Sequence, residues 1–254
     1  MKHFSLLFSA LVSLFISVSF CTIQAQLVTI PAGSFQIGSE NGSSDERPVR
    51  SLRMDSFGMH ATEVTYSMYQ ECVDQGRCTP AHYDDGNCLQ WDGRQFNTVI
   101  VPQQFRGDDY PVICVTWQQA RAFCHSLGMR LPTEAQWEYA ARAGGNQQFA
   151  NQLPGQGNCS PGNSKGPQRV GSCEPNRWGL YDMTGNVWEW TSDNYESDAY
   201  RNFSDANPTG PRAGLYKSVR GGGWYSEGMQ LRITNRHWFS PTFAEASVGF
   251  RCVK

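Results

Sequence analysis

Short alternations of apolar and polar residues, broken by turn residues, run along most of this chain and predict strands more often than helices. The first alternation, at residues 27–37, is interrupted at Pro31 and therefore predicts two short strands. Further strand patterns lie at residues 51–57, 187–191, 218–224, 231–234 and 248–253. Because strand side chains alternate, Trp188 and Trp190 share one face, and we expect both indoles to lie in the core.

Three helices are predicted from the residues that can cap them. Thr65 can cap a helix over residues 66–73, while Thr116 and Thr133 each open a capping box. The latter two helices should end before Gly128 and at Gly144. The long polar stretch at residues 78–109 is typical of a loop that is functional or held by cross-links. Few helices and many short strands predict one α+β domain with small antiparallel sheets.

The N-terminal residues predict export. Lys2 supplies a basic start, residues 4–20 are almost wholly apolar, and a small residue follows at Ala25. The apolar run is shorter than the ~20 residues of a membrane-spanning helix. We therefore predict a signal peptide over residues 1–25 and a periplasmic or secreted mature domain over residues 26–254, with no membrane span. Cys21 leaves a lipid anchor open as an alternative, although a bulky Phe20 precedes it.

Charge and cysteine content narrow the possible partners and folds. The net charge is −2 and no basic run is present, which argues against nucleic acid and favours a protein, peptide or small-molecule ligand. Eight cysteines follow the predicted cleavage point. An even number in an exported chain predicts disulfides, although residue types alone leave 105 pairings open. A zinc site is the weaker alternative, because the chain contains no Cys-x-x-Cys pair.

Eight segments match one family pattern in order and spacing. They read IPAGSF (30–35), EVT (63–65), YPV (110–112), RLPTEAQWEYAAR (130–142), GLYDM (179–183), GNVWEW (185–190), RGG (220–222) and GFR (249–251). In this order the chain resembles the sulfatase-modifying-factor family, which includes the formylglycine-generating enzymes, the pyoverdine-maturation proteins and the C-terminal domains of ergothioneine sulfoxide synthases. The resemblance covers residues 27–254 and implies an irregular variant of the C-type-lectin fold.

The resemblance implies a structural calcium site and a set of disulfides. The calcium ligands would be Asp182, Gly185, Val187 and Glu189, since two carboxylates and two carbonyl oxygens suit a hard cation. The alternative is that Glu189 pairs with an arginine and Asp182 caps a turn. A family disulfide corresponds to Cys124–Cys252. Proximity then favours Cys72–Cys78 and Cys159–Cys173, and it leaves Cys88 with Cys114.

The cysteines with which formylglycine-generating enzymes bind copper have no counterpart here. Ser226 stands at the first cysteine position, and the shortened region of the second contains no cysteine. Gly223 also replaces a pocket serine of the family. Because a hydroxyl cannot replace a thiolate on Cu(I), the chain is not expected to use copper or to form formylglycine by that route.

Two functional hypotheses follow. The first is a ligand-binding or accessory module whose surface includes Trp224, Tyr225, Met229 and Trp238, with His237 and Phe239 beside them. The corresponding surface is variable in proteins of this fold that retroelements diversify. The second is an oxidoreductase-type maturation enzyme that acts on a protein or peptide-derived substrate without copper-thiolate chemistry. Its candidate catalytic residues are Ser226, Glu227, Arg232, Arg236 and His237, although for each of them a solvated loop residue is the favoured interpretation.

Overall fold

The computed structural model describes residues 26–150 and 165–254. The predicted signal peptide lies outside these residues. No helix in the two described ranges has the length and apolar character needed to cross a membrane.

The described residues contain three α-helices, and each begins at the predicted cap. They are α1 (Tyr66–Asp74), α2 (Trp117–Ser126) and α3 (Glu134–Arg142). The hydroxyl of each capping threonine accepts a hydrogen bond from the backbone N–H three residues on, at 3.1–3.3 Å. In α2 and α3 the glutamine at that third position reaches back to the backbone of the cap, which completes the capping box. The helix starts predicted from the sequence are therefore confirmed.

The strands of the described residues form four small sheets. Antiparallel pairs join β1 (Leu27–Ile30) to β4 (Phe57–His60), β2 (Gly33–Ile37) to β3 (Arg50–Met54), and β5 (Leu89–Trp91) to β6 (Phe96–Thr98). The fourth sheet has the order β10-β7-β8-β9, formed by Val248–Gly249, Trp188–Asn194, Lys217–Arg220 and His237–Phe239. Its β10–β7 pairing is parallel, and the other two pairings are antiparallel. The predicted class, α+β with a C-type-lectin-like arrangement of few helices and small sheets, is confirmed.

Several predicted strands were wrong in extent or kind. The pattern at residues 248–253 forms a strand only at Val248–Gly249, and the pattern at residues 51–57 is broken after Met54. Residues 231–234 form no strand: Leu231 ends a 3₁₀ helix and the next residues form a turn. Leu231 and Ile233 are both buried, so their spacing reflects core packing without strand pairing. The strand predicted at residues 218–224 stops at Arg220, because Gly221 and Gly222 turn the backbone through positive φ angles of 96° and 84°.

Helix α3 is the centre of the core. All of its residues are buried, including two glutamates. Glu134 and Glu138 bind the guanidinium of Arg220 at 2.8 and 2.7 Å, and that arginine is itself fully buried at the end of β8. Since an unpaired buried charge costs several kcal/mol, these pairs align α3 with β8. The expected burial of Trp188 and Trp190 is also confirmed.

Disulfides hold the long segment at residues 78–109 and the C-terminus. The structure contains the predicted bonds Cys72–Cys78, Cys88–Cys114 and Cys124–Cys252. Cys173 is also disulfide-bonded. Its predicted partner, Cys159, lies outside the described residues. Three such bonds indicate an oxidising environment.

Candidate functional site

The turn at Ser226 replaces the copper-binding segment that the family resemblance implies. The Ser226 hydroxyl accepts a hydrogen bond from the backbone N–H of Gly223 at 3.0 Å, and the Ser226 N–H donates to the Gly223 carbonyl oxygen at 2.8 Å. Ser226 is fully buried. Its hydroxyl therefore closes a turn and is not presented to a substrate.

Two of the candidate catalytic residues, Arg232 and Arg236, anchor the loop at residues 223–236 to the rest of the domain through ion pairs. Arg232 binds both carboxylate oxygens of Glu46, at 2.7 and 2.5 Å. Arg236 does the same with Glu134, at 2.6 and 3.1 Å, and also donates to two backbone carbonyls. Burial by itself raises the pKa of Glu134, but Arg236 and Arg220 outweigh burial and hold this pKa at about 2. Both guanidinium groups are thus committed to buried ion pairs.

The other two catalytic candidates differ in exposure. Glu227 is exposed on the loop, where its backbone N–H donates to the side chain of Gln230. His237 is half-buried, with its ring 5.2 Å from that of Trp188 and 4.8 Å from that of Phe239. Burial lowers the pKa of His237, so the ring is neutral near pH 7.

The predicted aromatic surface divides into two groups. In the first, the Trp224 indole donates to the carbonyl oxygen of Ala246 at 3.0 Å, and the half-buried Tyr225 packs edge-on against it at 5.2 Å. Met229 follows on the exposed loop. In the second, Trp238 contacts Tyr216 at a ring separation of 4.2 Å. Because β9 side chains alternate, Trp238 lies on the opposite face from His237 and Phe239.

The sequence analysis missed two polar residues of this region, Glu245 and Ser247. Ser247 donates to one carboxylate oxygen of Glu245 through its N–H at 2.7 Å and through its hydroxyl at 2.5 Å. A Cβ atom at position 223 would lie 2.9 Å from the Ser247 hydroxyl, so glycine there leaves room for it. One signal was present in the sequence, namely a single charged residue inside the otherwise small and apolar run at residues 243–250.

Two of the predicted calcium ligands, Glu189 and Asp182, bind groups of the protein itself, as in the alternative to calcium given in the sequence analysis. Both carboxylate oxygens of Glu189 accept hydrogen bonds from Arg251 at 2.8 Å, and one also accepts from the Trp137 indole. Asp182 accepts from the backbone N–H of Gly171 at 2.5 Å.

As arranged, this donor set does not fit a calcium ion, because the Arg251 guanidinium holds both carboxylate oxygens of Glu189 and the backbone N–H of Gly171 holds Asp182. No cluster of three or more acidic, histidine or cysteine side chains suited to a metal occurs in the described ranges. Calcium at these residues stays a prediction from the family resemblance.

Comparison with known proteins gives the chain clear relatives. A family model described as "Sulfatase-modifying factor enzyme 1-like domain" matches residues 19–254. The formylglycine-generating enzyme of Mus musculus is 30% identical, and the alignment covers 89% of this chain and 74% of that protein. The serine/threonine-protein kinase pkn1 of Chlamydia pneumoniae is 35% identical over 91% of this chain, which spans only 38% of the kinase. PvdO from Pseudomonas aeruginosa shares the fold, with a TM-score of 0.74, 23% identity, and coverage of 89% of this chain and 93% of PvdO.

Proposed function

Since the chain belongs to the sulfatase-modifying factor enzyme 1-like family, we propose that it is an exported ligand-binding or accessory member that does not form formylglycine. The observation that carries this proposal is the turn at Ser226. Its buried hydroxyl is hydrogen-bonded to Gly223 where a copper-binding thiolate would be required. Every cysteine in the described ranges is disulfide-bonded, so none of these offers a replacement thiol.

The alternative, a maturation enzyme of different chemistry, has less support. Three of its five candidate side chains, those of Ser226, Arg232 and Arg236, already hold the loop at residues 223–236 in place. A catalytic group must be free to meet the substrate, and these three are buried and already hydrogen-bonded within the fold. The half-buried Tyr225, which packs on the buried Trp224, and the exposed Met229 are better placed to contact a ligand. The disulfides support a periplasmic or secreted location for that ligand.

The catalytic part of the proposal is tested with a sulfatase-type cysteine peptide. The purified protein is incubated with the peptide, Cu(I), reductant and oxygen, beside an active formylglycine-generating enzyme. We expect no aldehyde product by mass spectrometry. Conversion at a rate comparable to the control enzyme would overturn the proposal.

The binding part is tested by a thermal-shift screen of peptides and small molecules. Compounds that stabilise the wild type should lose their effect on Tyr225→Ala and keep it on Trp238→Ala, which changes the separate second aromatic group. Compounds whose effect survives Tyr225→Ala would place the ligand elsewhere.

A further inference from the structure

Glu245 differs from the other buried glutamates in the described ranges. Five other glutamates are buried there, and each has an arginine nitrogen within 4.0 Å of its carboxylate. They are Glu46, Glu63, Glu134, Glu138 and Glu189. Glu245 is fully buried and has no arginine, lysine or histidine in salt-bridge contact among the described residues. The fold therefore supplies a counter-charge to every one of these glutamates except Glu245.

The carboxylate of Glu245 is also only half hydrogen-bonded. Ser247 donates twice to one oxygen, Oε2, and the backbone N–H of Trp91 also approaches the carboxylate. The other oxygen, Oε1, has no partner in good hydrogen-bond geometry among the described residues. Burial raises the pKa of Glu245 to about 7, although hydrogen bonds from Ser247 and from the backbone of Trp91 oppose that rise. An ionised, half-satisfied carboxylate in such a place is costly unless a cation approaches it.

Two aromatic residues, Tyr225 and Trp188, adjoin the pair formed by Ser247 and Glu245. The hydroxyl of Tyr225 approaches both the Ser247 hydroxyl and the indole N–H of Trp188. Tyr225 is half-buried and leads to the exposed loop residues 227–230, so it is the outer member of the group. The ring of His237 packs on that of Trp188 at 5.2 Å and is neutral, so it adds no positive charge.

We propose that Glu245, Ser247, Tyr225 and Trp188 form a site for a ligand that carries an ammonium group, such as an alkylamine or a lysine side chain. This inference rests on the ligand-binding role proposed above and names the chemical class of the ligand. The cation contacts the ring of Tyr225, where aromatic faces attract positive charge. The ammonium group supplies the counter-charge that Glu245 lacks, beside the Ser247 hydroxyl that is hydrogen-bonded to this carboxylate.

The site is tested on the full mature protein with n-butylammonium and 1-butanol, which have the same chain length and differ in charge. Binding is followed by tryptophan fluorescence and calorimetry. We expect n-butylammonium to bind with a Kd at least tenfold below that of 1-butanol. Glu245→Gln should remove this preference while retaining the wild-type shape, whereas Glu196→Gln, which changes an exposed carboxylate, should leave it intact.

Two outcomes would overturn the inference, and they separate it from the proposed function. If both probes bind equally and Tyr225→Ala weakens both, the ammonium site is refuted while a ligand-binding role stands. If n-butylammonium does not bind, or keeps its preference in a folded Glu245→Gln variant, Glu245 is not the counter-charge. Should Glu245→Gln fail to fold, the comparison of the two probes on the wild type decides the question.

Discussion

Replacing Arg236 by methionine tests whether this residue has a structural or a catalytic role. Arg236 is 5% exposed and binds both oxygens of Glu134, which keeps a second partner in Arg220. Methionine preserves much of the apolar stem and removes the charge, so the variant leaves Glu134 buried with one guanidinium. We expect the native state to lose stability because part of that charge is no longer compensated.

The magnitude follows from two separate estimates. Removing one partner from a buried ion pair costs about 3–5 kcal/mol, and the lower end applies because Arg220 remains. The pKa of Glu134 falls from its ordinary value of 4.5 to about 2 in the folded protein. A change of that size corresponds to roughly 3 kcal/mol of stability, which Arg236 and Arg220 supply together and which is therefore an upper limit for the loss of Arg236 alone. At about 2–4 °C per kcal/mol for a chain of this size, Arg236→Met should lower Tm by about 6–12 °C.

The pH dependence gives a second signature. Because the folded pKa of Glu134 is depressed, its contribution is fully present above pH 4.5 and is lost as pH falls towards 2. The wild type should therefore lose about 3 kcal/mol from this group between those limits, and Arg236→Met should lose less.

Urea unfolding followed by tryptophan fluorescence at several pH values measures both effects. Arg94→Met, at an exposed position, is the matched control and should stay within about 0.5 kcal/mol of the wild type. Unchanged stability of Arg236→Met, together with loss of ligand binding, would refute the structural role and restore this residue as a functional candidate.

Two further predictions concern a disulfide bond and the calcium site predicted from the sequence. The bond Cys124–Cys252 spans 128 residues, so the double alanine variant should lose about 5 kcal/mol in the chain-entropy model, measured by denaturant unfolding; an unchanged midpoint would contradict this. Because Arg251 occupies both oxygens of Glu189, a chelator should leave Tm unchanged, and a fall in Tm that added calcium reverses would instead support the calcium site predicted from the sequence.

Local sequence determined the features that depend on neighbouring residues. The three helices start at Thr65, Thr116 and Thr133 because each hydroxyl satisfies a backbone N–H only three residues away. The burial of Trp188 and Trp190 followed from strand alternation. The order of eight short motifs was enough to indicate the family and, through it, the bond Cys124–Cys252.

Only the tertiary structure decided the roles of the charged residues. Arg232 and Arg236 look like pocket residues in the sequence, yet their partners Glu46 and Glu134 lie 186 and 102 residues away. The same holds for Glu189, whose contact with Arg251 joins two segments that no local pattern connects. Glu245 is the converse case. Only the folded chain shows that no basic group among the described residues pairs with it. A charge acts through space, so its partner depends on the assembled fold, whereas caps and alternation depend on the chain within a few residues.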